Sequence, residues 1–247
     1  MANKSGGYKS EASKIKDCKI KVIDDLLPKS YFDQIQQMFH PDHGLPWYFS
    51  DDCVYRETPE SKASMDLWCN ENSLNTIESL GNDSDGKKFS RPAGFTHLFT
   101  FKGNDLSPFW PFVKPIVDFA SLKAGFEYGR ILRAKANITL PVPGNKEGTY
   151  IGPHVDHSDQ SNFITLGFYP FDSDGDTFVF NESHHDGVPE KITVNDRVTP
   201  VANRAIVFNG WQYHSASSPI DHNKRIFINF TLEIPENNYS LQNSCME

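Results

Sequence analysis

Three groups in the C-terminal half of this chain could do chemistry together: His154-Val155-Asp156, His214 and Arg225. Two imidazoles and one carboxylate can occupy one face of an Fe(II) ion and leave three coordination positions open. Arg225 follows His214 by eleven residues and carries a planar fork that can grip a carboxylate through two parallel N–H bonds.

His-x-Asp alone selects nothing here, because the chain has four such pairs: His40/Asp42, His154/Asp156, His157/Asp159 and His184/Asp186. His40 and Asp42 flank Pro41 at a helix end, where an exposed turn explains them. His184/Asp186 sits in a polar loop with only 29 residues separating His184 from His214, too few for the strands a barrel requires. His154/Asp156 closes an expected strand, and the two-residue period points both side chains to one face. His157, of opposite parity to Asp156, points away, and its pairing with Asp159 is a register-shifted competitor.

The elements that must position these residues are mostly strands. Short apolar runs bounded by Gly, Pro, Asn and Asp predict strands at 130–140, 149–156, 162–171, 176–181, 191–200, 204–209, 213–217 and 224–233. Eight strands at this spacing suit a jelly roll, and the 60 residues from His154 to His214 hold about four of them, returning the chain beside its start. In the last strand Ile226, Ile228, Phe230 and Leu232 form one apolar face, while Arg225, Phe227, Asn229 and Thr231 take the other. A charge pointing into a barrel needs a partner, and a ligand carboxylate would be one. Lys224, of the other parity, is expected outside.

Ahead of this region a strand is expected at 20–23 and another at 94–101. A helix from a Ser30/Asp33 capping box through Met38 ends at Pro41, and a second starts with Ser107 as N-cap and Pro108 at N1 and ends before Gly125. Residues 1–16 read as a disordered tail. The remainder, 17–247, reads as one domain with its β core at about 130–233.

The chain has 247 residues with a net charge of -8 and a mean hydropathy of -0.52. That balance argues against a nucleic-acid partner, since phosphate binding needs clustered Lys and Arg. No apolar run approaches the roughly 20 residues of a membrane span, and no signal-peptide core opens the chain, so a cytoplasmic location is expected. Cys18, Cys53, Cys69 and Cys245 show no metal-ligand spacing and read as free thiols.

The order His154-x-Asp156, His214, then Arg225 leading a strand resembles the Fe(II)/2-oxoglutarate-dependent dioxygenases, and within them the prolyl-4-hydroxylase-like branch with its short bacterial and bacteriophage members. The resemblance covers about residues 130–233, and the lead-in through 46–49 is similar more weakly. It implies a mainly β fold, a double-stranded β-helix (jelly roll, cupin-like) with flanking N-terminal α-helices. It implies Fe(II) on His154, Asp156 and His214, with 2-oxoglutarate and O2 as cosubstrates and the distal carboxylate of 2-oxoglutarate on Arg225.

Residues 165–169 are similar to the strand that carries a cosubstrate-contacting tyrosine, which makes Tyr169 a second candidate for that carboxylate. Asn137 is a further candidate contact, and 174–180 looks like the family's turn into its next strand. Phe227 departs from branches that place a serine two residues after the arginine. The resemblance further implies hydroxylation of a protein residue, proline first, or of a small amino-acid-like molecule. The segments 57–91 and 142–149 are the candidate lids, and Trp211 and Tyr213 candidate pocket walls. Two rival classes stand beside this reading: a cupin-like metal-binding module without oxygenase chemistry, and a structural jelly roll whose histidines are incidental. The oligomeric state is not legible.

Overall fold

A computed structural model describes residues 20–40, 42, 44–50, 92–156, 162–184, 189 and 192–235. The order is β1 (Lys21–Ile23), α1 (Lys29–Met38), β2 (Tyr48–Ser50), β3 (Gly94–Phe101), β4 (Asn104–Asp105), α2 (Trp110–Val113), α3 (Pro115–Ala124), β5 (Ile131–Thr139), β6 (Phe163–Tyr169), β7 (Thr177–Ser183), β8 (Val194–Val198), β9 (Arg204–Asn209), β10 (Gln212–Ala216) and β11 (Arg225–Glu233). The 1–16 tail, the 57–91 candidate lid, all four cysteines, Pro41, His157, Asp159 and Asp186 lie outside the described residues.

The larger sheet runs β1-β9-β6-β11-β5-β3-β2, with β4 beside β3, and the smaller runs β10-β7-β8. Every strand pairing among the described residues is antiparallel. The last strand sits between β5 and β6, and β10 returns beside β7, so the chain closes on itself as a jelly roll. Four strands, β6 to β9, separate His154 from His214, as the spacing requires.

The alternation of β11 explains the layers. Ile226, Ile228, Phe230 and Leu232 face outward and join Ile164, Leu166 and Phe168 of β6 against Ile35 and Met38 of α1 and Ile116, Val117 and Ala120 of α3. Burying each such side chain stabilises the fold by about 1.5–3 kcal/mol. The opposite face turns toward the smaller sheet, where Tyr169, Ile206, Phe208 and Phe227 meet Val179 and Val198. Lys224, one residue before β11, is exposed.

Gly167 is paired in this layer and leaves room for an aromatic ring. A β-carbon there would overlap the ring of Phe227 and stand 3.1 Å from Ile206 Cγ1. Gly167→Ala is therefore expected to destabilise the protein by about 1–3 kcal/mol, lowering the melting temperature by roughly 2–4 °C per kcal/mol. An unchanged melting curve would show that the ring yields without cost.

Three local expectations are corrected. The first helix begins at Lys29 with Pro28 as N-cap and no side-chain cap. Asp33, instead of closing a capping box with Ser30, pairs with Lys29 one turn earlier at 2.9 Å. The second helix does not start at Ser107 but splits into α2 and α3, with Pro111 and Pro115 in their first turns. A proline lacks the N–H an interior position needs, so each one opens a helix instead of sitting inside one. Ser107 caps a turn, accepting the Phe109 N–H at 3.2 Å, and bonds His97 Nε2 at 2.7 Å. Gly125, at φ 72°, ends α3 as expected.

The third correction concerns 149–156, which is not a continuous strand. Ile151 donates to Ala216 O at 2.8 Å, and His154 and His214 exchange N–H···O bonds of 3.0 and 2.9 Å. Pro153 interrupts the ladder between these points. The preceding loop is tied at Glu147 to Arg197 of β8 (3.1 Å) and at Asn145 to Ser218 O (3.3 Å).

Candidate metal and cosubstrate site

The His154–His214 bridge places two histidines directly opposite one another across antiparallel backbone. Their rings lie 4.7 Å apart. Asp156, two residues on and of the same parity, brings Oδ2 to 3.4 Å from His214 Nε2. One ligand atom from each of the three lies within 4.8 Å of the others. The structure thus brings all three expected ligands together.

Ring orientation and protonation suit a cation. His154 Nδ1 lies 3.2 Å from Gly152 O and His214 Nδ1 3.2 Å from Gln212 O. A carbonyl only accepts, so each Nδ1 carries the proton and each Nε2 lone pair is left for a metal. Burial holds the His154 pKa down to about 3, so the ring is neutral at ordinary pH. Burial alone would raise Asp156, but the Arg133 guanidinium opposes it, and the carboxyl is held well below the usual range. Two imidazoles and an ionised carboxylate on one face fit Fe(II).

Two residues that the sequence reading assigned no role orient that carboxylate. Arg133 Nη2 donates to Asp156 Oδ1 at 2.6 Å, and Asn229 Nδ2 donates to Oδ2 at 2.7 Å. Both donors stand in register with the Arg225 face: Asn229 shares its parity on β11, and Arg133 lies opposite Thr231. The alternation of Arg133, Lys135 and Asn137 along β5 was the available signal. Outer partners of metal ligands typically carry 10–100-fold in metal affinity. Arg133→Ala and Asn229→Ala are each expected to weaken Fe(II) binding by about 10–100-fold, read by anaerobic titration with circular dichroism as a folding control. Wild-type affinity in both would show that Asp156 orients itself.

Arg225 opens β11 on the inner face and is 3% exposed. Its Nε donates to Gly175 O at 2.6 Å and its Nη2 to Thr177 Oγ1 at 2.7 Å. The guanidinium centre lies 4.7 Å from the ring centroid of Phe227 and 5.6 Å from that of Tyr169. The 174–180 turn sets this geometry. Asp174 accepts N–H bonds from Ile220 (2.9 Å) and Asp221 (2.7 Å), fixing the approach to β11. A β-carbon on Gly175 would come 2.8 Å from Arg225 Cδ and 2.8 Å from Ser217 O, so only glycine fits there.

A cavity of about 60 Å³ runs between the two sites, bounded by His154 and His214 at one end and Arg225 and Thr177 at the other, with Lys135 and Asn137 between them. Asn137 is one of the residues lining this cavity. Tyr169 stands behind Arg225, its hydroxyl 2.6 Å from Thr177 Oγ1, and Thr177 is the residue that borders the cavity. Trp211 packs on Phe163 (5.3 Å between ring centroids) and stacks on His184 (5.7 Å), and Tyr213 lies with Tyr150, Phe178 and Phe180. Neither borders this cavity.

No family model matches the chain, and no curated protein is detectably similar to it. Among solved structures, an oxidoreductase of the 2OG-Fe(II) oxygenase family from Burkholderia pseudomallei superposes at a TM-score of 0.52, covering 94% of this chain and 93% of its own at 12% identity. Looser superpositions, which add no weight, include a prolyl hydroxylase from Trichoplax adhaerens in complex with a hypoxia inducible factor peptide (TM-score 0.46, 9% identity, 98% of each chain). Another is the α-ketoglutarate-dependent epimerase SnoN of nogalamycin biosynthesis (TM-score 0.47, 13% identity, 90% and 81% covered). The chain therefore shares its fold with a 2OG-Fe(II) oxygenase.

Proposed function

We propose that this protein is an Fe(II)- and 2-oxoglutarate-dependent dioxygenase that hydroxylates a protein residue, proline first, or a small amino-acid-like molecule. The observation that carries this reading is the single cavity with the His154/His214 pair at one end and a buried arginine at the other. A keto acid with a second carboxylate is the ligand that suits both ends at once.

His154, Asp156 and His214 would hold the iron on one face. Arg225 would receive the distal carboxylate of 2-oxoglutarate, its fork held in aim by Gly175 O and Thr177. Lys135 and Asn137 would offer polar contacts along the wall, while Phe208 and Phe227 exclude water. The bound iron and 2-oxoglutarate supply the oxidation, in which O2 is consumed, CO2 and succinate leave, and one oxygen atom becomes the product hydroxyl. The side chains bind and orient, and none has to act as a general base.

Anaerobic addition of Fe(II) and then 2-oxoglutarate to the metal-free protein tests the reading through the visible charge-transfer band of a chelated keto acid. A band is expected. Iron binding without a band would favour a cupin-like metal module, and binding of neither would favour a structural jelly roll.

A further inference from the structure

The inner face of the larger sheet holds three neighbouring polar atoms that no protein group partners. Thr165 of β6 and Thr231 of β11 stand directly opposite one another in register. Asn229 lies two residues before Thr231 on the same face of β11, opposite Gly167. All three side chains are buried, with Thr165 at 0%, Thr231 at 2% and Asn229 at 4% exposure. Among the described residues Thr165 Oγ1, Thr231 Oγ1 and Asn229 Oδ1 have no hydrogen-bond partner.

Asn229 connects these atoms to the metal site. Its Nδ2 donates to Asp156 Oδ2 at 2.7 Å. An ionised carboxylate only accepts, so the amide nitrogen must face Asp156, and the amide oxygen is left as an acceptor in need of a donor. A threonine hydroxyl could donate, yet neither one reaches it.

The spacing suits water. Facing residues of an antiparallel pair hold their β-carbons about 4.5–5.5 Å apart. A water with bonds of about 2.8 Å on either side spans a gap of that size. The step along β11 from Thr231 to Asn229 is about 7 Å, so the same water or a second one reaches the amide oxygen. Aromatic rings wall the place off from solvent. The Phe227 ring lies over Gly167, and Phe208, opposite Thr165 on β9, sets its ring 5.0 Å from that of His214. Buried hydroxyls and amides are nearly always partnered, by protein or by an ordered water with two to four polar neighbours.

We propose that Thr165, Thr231 and the Asn229 amide oxygen form a buried water site, and that the two threonines are positioning residues for Asp156. The water donates to Asn229 Oδ1 and is itself held by the hydroxyls. With its oxygen engaged, the amide is kept from turning, and its nitrogen stays on the carboxylate. The consequence for iron rests on the reading of His154, Asp156 and His214 as metal ligands, whereas the water site does not.

Valine matches threonine in shape and lacks its hydroxyl, which makes the sign of its effect diagnostic. An unpartnered buried hydroxyl destabilises, so if these two are dry, Thr165→Val and Thr231→Val will melt at or above the native temperature. If they hold a water, each change leaves that water and Asn229 short of partners. Melting of the metal-free full chain should then fall by about 2–4 °C or more. Anaerobic Fe(II) titration gives the second readout. Each valine variant is expected to bind iron about tenfold more weakly, the lower end of what an outer partner of a metal ligand carries. Thr165→Ser and Thr231→Ser should keep native iron affinity, even where the lost methyl lowers melting. In an Asn229→Ala background the valine changes should cost no further affinity, because they act through that amide.

Melting at or above the native temperature in both valine variants would overturn the water site. Native iron affinity in both, or losses that add in full to that of Asn229→Ala, would overturn the positioning role and leave the water site. If the native protein binds no Fe(II), the metal reading fails and the positioning role with it, while melting still decides the water site.

Discussion

His154→Ala is expected to lower Fe(II) affinity by well over the roughly 10–100-fold that loss of an outer partner costs, and to erase the charge-transfer band at any practical concentration. The ring removed would supply one of the three donors that meet among the described residues, and its neutral state and fixed Nε2 cannot be replaced by solvent in the same place. Asp156→Ala should abolish binding equally but differ in stability. It breaks the buried ion pair with Arg133, whose side chain is 8% exposed. Removing one partner of a buried ion pair costs about 3–5 kcal/mol, so Asp156→Ala should melt well below His154→Ala. Residual tight iron binding in both variants would mean that the metal sits elsewhere, and equal melting temperatures would mean that the Arg133 pair carries no stability.

The second large effect is expected at the far end of the cavity. Arg225→Ala should weaken 2-oxoglutarate binding by about 10²-fold or more, because each hydrogen bond to a charged group contributes roughly 1.5–3 kcal/mol and the fork can make two. Fe(II) affinity should stay near that of the native protein, since Arg225 is bonded to Gly175 and Thr177, away from the histidine pair. Arg225→Lys should restore the charge but not the paired geometry, and recover only part of the affinity. The measurement is the 2-oxoglutarate concentration that half-develops the band in iron-loaded protein. An unchanged midpoint in Arg225→Ala would assign the arginine a purely structural task, tying β11 to the 174–180 turn.

Much of the fold was legible because alternation in a strand declares which side chains share a face. The run 225–232 separated its apolar row from Arg225, Phe227, Asn229 and Thr231, and the sheets use those rows as the outer and inner layers. The boundaries of β3 and β9 match their expected limits. The helix starts were misread for a local reason. A serine satisfies the same composition rule whether it caps a helix, caps a turn as Ser107 does, or lies inside the helix as Ser30 does, and the backbone donors that decide the matter are not written in the residue types.

Residue types and spacing by themselves put two histidines, a carboxylate and an arginine forward as one constellation, and placed about four strands between His154 and His214. Among four His-x-Asp pairs, only strand context could favour His154/Asp156, and the backbone bridge to His214 is what places it within ligand distance. Only the tertiary structure joined Arg133 and Asn229 to Asp156, aimed Thr177 at Arg225, and set Thr165 opposite Thr231. The reason is physical: periodicity along a strand fixes the face a side chain takes. Its neighbour across the sheet depends on register, and its neighbour across the barrel on how the two sheets close.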